Sequence, residues 1–166
     1  MSFPGIPSLD AAVMAFIQTH FHNTVTDTVF PIITSLGEAG IGWIVLSLVL
    51  LCFKKTRRTG GLVLIAMTVT LLFGELTLKN IICRLRPCNV FTDFPMLIAR
   101  PTSYSFPSGH TSSSFAAALI LTLRHKKVGW LAYIPAVLIA FSRIFLFVHY
   151  PTDVLAGILL GTLAAL

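Results

Sequence analysis

Five stretches of the chain, residues 39–53, 59–74, 111–123, 128–142 and 154–166, carry no Asp, Glu, Lys, Arg or His. That emptiness governs what the chain can fold into. Charged residues make up 11% of the 166 positions and hydrophobic ones 55%, whereas a typical soluble domain is about a quarter charged. So few charges cannot cover a water-soluble globule of this length, and so apolar a chain does not stay solvated as a disordered coil. What remains is one polytopic membrane domain over residues 1–166, an all-α helix bundle.

None of the five stretches reaches the ~20 residues that cross a bilayer core. Each crossing helix must therefore take in charged residues at one end. On that basis the spans fall at 24–36, 40–55, 60–83, 108–125, 128–147 and 151–166, about six transmembrane helices. A short amphipathic helix at 9–22 precedes them, opened by Ser8 or Asp10 as N-cap. Thr24 and Asp27 supply a capping pair for the first span. At His22-Asn23 two readings stand open, a break between helices or a kink in one long helix.

The net charge of +6 does not form a basic face for nucleic acid. Seven of the twelve cations sit in two runs, Lys54-Lys55-Thr56-Arg57-Arg58 and Arg124-His125-Lys126-Lys127. One run joins the second and third spans, the other the fourth and fifth. The positive-inside rule makes that face cytoplasmic, and the N-terminus lies on the same side. Segments 37–40, 84–107 and 148–150 then fall outside the cell membrane. Arg84, Arg86, Arg100, His110 and His149 collect there, with Lys79 and Arg143 about a turn deeper. Cations on that face oppose the orientation rule, so a functional site is the default reading for them. Cys52, Cys83 and Cys88 fit neither a disulfide framework nor a zinc site, and free thiols are expected, although Cys83 and Cys88 could pair. The opening Met-Ser-Phe-Pro-Gly lacks the positive region of a cleavable signal. Leu166 falls within an apolar run, so the last span is expected to be cut short.

Three segments carry chemistry. In Lys79-Asn-Ile-Ile-Cys-Arg-Leu-Arg86-Pro87 the two cations are seven residues apart, two helical turns, which puts them on one helix face, and Pro87 ends that helix. Arg offers a fork of donors matched to phosphate oxygens, while Lys is a compact charge. Phe106-Pro107-Ser108-Gly109-His110 opens the fourth span. Its free backbone N–H groups attract an anion, Gly109 allows close backbone approach, and His110 lies in the first turn. In Ser142-Arg143 through His149 to Asp153, Arg143 ends a span and Pro151 suits the first turn of the next. Asp153 lies four residues after His149, so it can accept a hydrogen bond from one imidazole nitrogen and leave the other as nucleophile or base.

Together these segments resemble the signature of the type 2 phosphatidic acid phosphatase superfamily, the membrane lipid phosphate phosphatases: Lys-x6-Arg-Pro, Pro-Ser-Gly-His and Ser-Arg-x5-His-x3-Asp. Every fixed position is met, by Lys79, Arg86, Pro87, Pro107, Ser108, Gly109, His110, Ser142, Arg143, His149 and Asp153. The resemblance covers about residues 75–155. It implies that His149 attacks phosphorus and carries a phosphohistidine, oriented by Asp153, while His110 protonates the departing oxygen. It implies that Lys79, Arg86, Arg143, the Ser108 hydroxyl and the Gly109 amide hold the phosphoryl oxygens. No cofactor and no metal are implied, and the outer-face acids Glu38, Asp93 and Asp153 are too sparse for a two-metal cage.

The substrate expected from this placement is a lipid-linked phosphate or pyrophosphate entering from the bilayer. Undecaprenyl pyrophosphate is preferred by analogy with small bacterial members, and phosphatidylglycerophosphate or phosphatidic acid come next. A phospholipid transporter or scramblase would use the Lys/Arg cluster without hydrolysis, but a nucleophilic His paired with Asp has no purpose in mere binding. The vanadate haloperoxidase branch shares the signature, yet its members are soluble.

Outside the signature, Glu75 is expected to hold Lys79 from one turn away. Arg84 and Arg100 either bind a second phosphate or headgroup or are simply solvated. Ser103, Tyr104 and Ser105 read as a lead-in loop. Ser112–Ser114 with Ala116–Ala118, and Gly157-x-x-x-Gly161, read as small-residue faces for packing within the chain. Phe91, Phe94, Pro95, Met96 and Leu97 read as a lid dipping into the bilayer. His20, His22 and His125 read as interfacial.

Overall fold

The computed structural model describes residues 3–166. The fold is all-α, 72% helical, with no strand among the described residues. The helices are α1 (Ser8–His20), α2 (Thr24–Leu36), α3 (Ile41–Leu51), α4 (Arg57–Thr70), α5 (Lys79–Ile82), α6 (Pro87–Val90), α7 (Gly109–Arg124), α8 (Tyr133–Phe145) and α9 (Pro151–Ala165).

Several helix ends differ from their expected form. α1 follows Pro7 and no side chain caps it; Ser8 is already helical, and the Asp10 carboxylate turns inward to Arg84 and Thr152. The chain breaks into two helices at residues 21–23, and Asn23 caps α2 rather than Thr24 and Asp27. The Asn23 side chain accepts from the N–H groups of Val25 and Thr26, and Thr26 Oγ1 accepts from Asn23 N–H at 2.9 Å. That reciprocal pair satisfies two orphan donors, which leaves Asp27 to meet His22 Nδ1 at 2.7 Å.

Beyond α4 the helix continues without a gap through Leu71–Leu78, where the bonding widens to i→i+5. One α-helical turn, α5, follows. It stops at Cys83, whose φ of 51° reverses the chain, four residues before Pro87. Pro87 therefore ends nothing: it opens α6 at its first position, where a missing N–H costs no hydrogen bond.

α7 is the hub, packing on α4, α8 and α9. Its inward faces are small, with Thr111 through Ser114 and Ala116 through Ala118 mostly or wholly buried, so neighbours come close. A Cβ on Gly157 would lie 2.7 Å from the Ser108 carbonyl oxygen, and one on Gly161 only 2.2 Å from that of Ser112. The two glycines of α9 thus serve contact inside the chain.

The stretch Arg57–Val90 is long and apolar enough to cross a membrane. α2 and the segment Glu38–Leu51 pass that test only together, bent by 44°, and Gly129–Phe145 and Pro151–Ala165 are apolar but shorter. Large apolar side chains point outward along the bundle, among them Ile65, Phe73, Leu76, Val137, Leu155, Leu159 and Leu163, an apolar coat of the kind that meets membrane or partner rather than water. α1 buries Asp10 and Gln18 together with Met14 and Ile17, and exposes Leu9 and Phe16.

The outer loop, expected as a lid dipping into the bilayer, packs its aromatic side chains on the core. Phe94 stacks on Phe147, Phe91 meets Phe3 edge-on and tilts against Phe147, and Met96 packs against the same core; Leu97 points out. Arg100, an exposed cation, straps the loop by donating to the carbonyls of Cys88, Thr92 and Phe94. All three cysteines are free.

Gly161→Val should overpack the α7–α9 contact at a cost of about 1–3 kcal/mol and lower the Tm of the detergent-solubilised protein. Gly61→Ala, with nothing within 4 Å of the added Cβ, should leave Tm unchanged or raise it.

Candidate active site

Lys79 and Arg86 do not share a helix face, because the chain reverses at Cys83, yet both line one cavity. Lys79 is in α5 and buried, and both oxygens of Glu75 lie 2.6 Å from its Nζ. Arg86 sits in the extended stretch after the helix. Its Nε and Nη2 donate to the Ser103 carbonyl at 2.8 Å and hydroxyl at 3.0 Å, and its Nη1 to the Val148 carbonyl at 2.9 Å. Arg143, in the last turn of α8, donates to the Thr34 hydroxyl, while its buried Nε has no partner.

His149 lies in the tight connection from α8 to α9, which turns through Phe147 at φ 60°. The N–H groups of Val148 and His149 both donate to the Arg143 carbonyl, at 3.2 and 3.1 Å, which locks the loop onto the end of α8. The imidazole Nε2 lies 2.9 Å from Arg86 Nη1. A guanidinium can only donate, so Nε2 presents its lone pair and the proton resides on Nδ1. Burial, and after it the charges of Arg86, Arg143 and Lys79, push the His149 pKa well below its ordinary value. The ring is neutral at pH 7, the form a nucleophile needs.

Nδ1 faces Asp153 Oδ2 at 3.5 Å, beyond a hydrogen bond and longer than the expected contact. Asp153 is held by other donors: Oδ2 accepts from the Ser105 hydroxyl and the Tyr150 N–H, and Oδ1 from Arg84 Nη1 at 2.7 Å. Ser105 is thus more than a lead-in loop. Arg84 is neither solvated nor a ligand for a second phosphate. Its other nitrogen meets Asp10 Oδ2 at 2.7 Å, its guanidinium lies 3.7 Å from the Tyr150 ring centroid, and Asp10 also accepts from the N–H and hydroxyl of Thr152. Asp10 was missed because its partners lie more than seventy residues away. The available signal was two lone opposite charges, Asp10 and Arg84, in an apolar chain that cannot leave either unpaired.

Lys79, Arg86, Gly109, His110, Arg143 and His149 line one cavity of about 1130 Å³. Glu38 and Glu75 share it, with Glu38 Oε2 at 3.6 Å from His110 Nε2. Away from the cations the cavity becomes apolar, along Pro31, Ile44, Leu64, Met67 and Leu71. Two signature residues stand behind this wall. Asp153 backs His149, and Ser108 is buried, its hydroxyl accepting from Thr111 at 2.9 Å and its N–H donating to the Asp153 carbonyl. The Ser108 hydroxyl is therefore turned into the helix interface and not toward a ligand. Among the described residues no three His, Cys, Asp or Glu side chains are grouped as metal ligands.

The whole bundle matches solved structures. The crystal structure of Aquifex aeolicus LpxE superimposes with a TM-score of 0.82 at 25% identity, covering 99% of this chain and 96% of the other. The transmembrane PAP2-type phosphatidylglycerolphosphate phosphatase of Bacillus subtilis superimposes with a TM-score of 0.76 at 30% identity, covering 98% and 84%. The fold is that of membrane phosphatases. The family model of the PAP2 superfamily matches residues 59–166, and this chain belongs to that superfamily. It is 40% identical over 121 residues to an undecaprenyl-diphosphatase of Sulfolobus acidocaldarius, 72% of this chain, and spans 58% of that relative's length.

Arg84→Gln should leave the buried Asp10 carboxylate without its countercharge, a loss of about 3 kcal/mol, the low end for a broken buried pair. Thermal unfolding in detergent should show the drop, and Asp10→Asn added to Arg84→Gln should recover part of it.

Proposed function

We propose that the protein is a lipid phosphate phosphatase of the cell membrane that works through a phosphohistidine at His149. The observation that carries this reading is the neutral imidazole whose Nε2 lone pair is turned into a cavity with three cations. In the first step Nε2 forms a bond to phosphorus while the bond from phosphorus to the leaving oxygen breaks, and that oxygen takes a proton from His110. Arg86 turns from Nε2 to the phosphoryl oxygens, where Lys79, Arg143 and the Gly109 N–H join it to offset the charge of the transition state. In the second step a water oxygen attacks phosphorus and gives a proton to His110. The P–N bond breaks, inorganic phosphate leaves, and His149 regains its lone pair. Asp153, anchored by Arg84 and Ser105, puts its negative charge 3.5 Å from Nδ1, on the protonated side of the ring. These steps ask nothing of a metal, because side chains supply all the positive charge.

The substrate is an anchored lipid, since the cationic end of the cavity continues into an apolar groove along α4. Among such lipids undecaprenyl pyrophosphate is preferred. The similarity to an undecaprenyl-diphosphatase supports it, as does an outward-facing site, which suits a carrier released outside the cell. Phosphatidylglycerophosphate is the second reading, supported by the similarity to the Bacillus subtilis phosphatase. The proposal includes about six membrane spans after the N-terminal helix α1, a cytoplasmic N-terminus, and the site on the extracytoplasmic face. The runs Lys54–Arg58 and Arg124–Lys127, at the opposite ends of α4 and α7 from Lys79 and His110, support that orientation.

Phosphate release from undecaprenyl pyrophosphate and phosphatidylglycerophosphate, each with EDTA present, is the direct test. Wild-type release should persist in EDTA, run faster on the pyrophosphate, and fall at least about a thousand-fold in His149→Ala. Release retained by the variant would remove His149 as nucleophile, and no release from any lipid would favour a transporter.

A further inference from the structure

The cationic cavity already contains an anion of its own. Glu75 belongs to no signature, and its carboxylate reaches the place where a phosphoryl group is expected. Both oxygens lie 2.6 Å from Lys79 Nζ, a two-point contact of the kind a phosphoryl group would make. The same carboxylate presses on the start of α7: a Cβ on Gly109 would fall 2.1 Å from Glu75 Oε1. Thus Glu75 occupies the corner between Lys79 and the first turn of α7, where the helix end favours negative charge. It is a third exposed to the cavity, whereas Lys79 is buried, so the carboxylate is the member of the pair that is free to leave. Its backbone lies in the i→i+5 stretch Leu71–Leu78, a wider turn of a kind found mostly at functional sites.

We propose that Glu75 is a resident competitor of phosphate. In the empty site it takes the position of one phosphoryl oxygen pair and neutralises Lys79; an incoming phosphoryl group displaces it, and after hydrolysis its return to Lys79 helps to expel inorganic phosphate. Glu75 in this role sets how tightly the site holds product. The inference rests on the phosphatase reading of the same cavity. It also differs in sign from a purely supporting role. If Glu75 only positions Lys79, its loss misplaces a cation and weakens phosphate binding; if it competes, its loss removes a like charge from beside the phosphate and strengthens binding.

The test is calorimetric titration of the full-length, detergent-solubilised protein with inorganic phosphate, for wild type, Glu75→Gln and Glu75→Ala. Gln keeps the size of the side chain, and Ala removes any remaining contact with Lys79. The Kd for phosphate should fall roughly ten-fold or more in both variants. A Kd that is unchanged or raised in either variant overturns the proposal. Lipid phosphate hydrolysis by the wild type is measured alongside. Hydrolysis with no gain in phosphate affinity removes Glu75 alone, whereas no hydrolysis and no phosphate binding in any form removes the phosphatase reading with it.

Discussion

Three cations that repel one another, Lys79, Arg86 and Arg143, are each at most 5% exposed and line a single cavity. Burying one such charge costs several kcal/mol unless partners offset it, and placing three together adds their mutual repulsion. The surrounding structure answers that constraint. Lys79 has Glu75; Arg86 has two carbonyls and the Ser103 hydroxyl; Arg143 has the Thr34 hydroxyl. These partners come from α2, from the helix after α4, from the outer loop and from the α8–α9 connection. No local segment could assemble them, so the site exists only when the whole bundle is closed. The offset is also incomplete, since Arg143 Nε has no partner. Arg143 Nε is thus a buried donor left without an acceptor, while Lys79 is occupied by Glu75 and Arg86 by Ser103, Val148 and His149.

Close helix packing supplies the register. Gly157 brings the backbone of α9 against the Ser108 carbonyl, and the Ser108 N–H donates to the Asp153 carbonyl at 3.1 Å. The first turns of α7 and α9 are thereby fixed to each other. One carries His110 and the other Asp153, so the placement of these two residues relative to each other is set by a backbone contact and not by long side chains with several rotamers.

Much of this was legible from spacing alone. Helix positions came within a few residues, because the uncharged stretches are bounded by Pro, Gly and charge. The small faces of α7 and α9 read correctly as internal packing, and Glu75 correctly as the partner of Lys79. What failed were arguments that carry a local rule past a chain reversal. The seven-residue spacing of Lys79 and Arg86 assumes a helix that Cys83 has already ended, and a capping rule at Thr24 and Asp27 loses to Asn23 one position earlier. The pairings of Asp10, Ser105 and Arg84 escaped local rules for another reason. Their contacts span 48 to 142 residues, and the tertiary fold specifies such distances. Ser108 shows the reverse case: a residue in the signature whose hydroxyl turns to Thr111 and whose backbone does the joining.

The bend between α2 and α3 has a part in the chemistry that composition hides. Gly37, Ala39 and Gly40 form it, and the last two take positive φ, 48° and 71°. A Cβ at Gly37 would lie 2.9 Å from His110 Cδ2, and one at Gly40 2.4 Å from Met67 Cε. The bend is thus pressed against His110 on one side and against the apolar groove on the other. A straight helix through this point would carry side chains into both. By turning 44° on small residues, the chain places backbone where a side chain would displace His110, and it delivers Glu38 to within 3.6 Å of that imidazole. The same turn leaves Ile44 and Met67 to line the groove. The boundary between charged head site and apolar groove is therefore drawn by two glycines and an alanine within one tight turn, a constraint of shape that acts before any charge is considered.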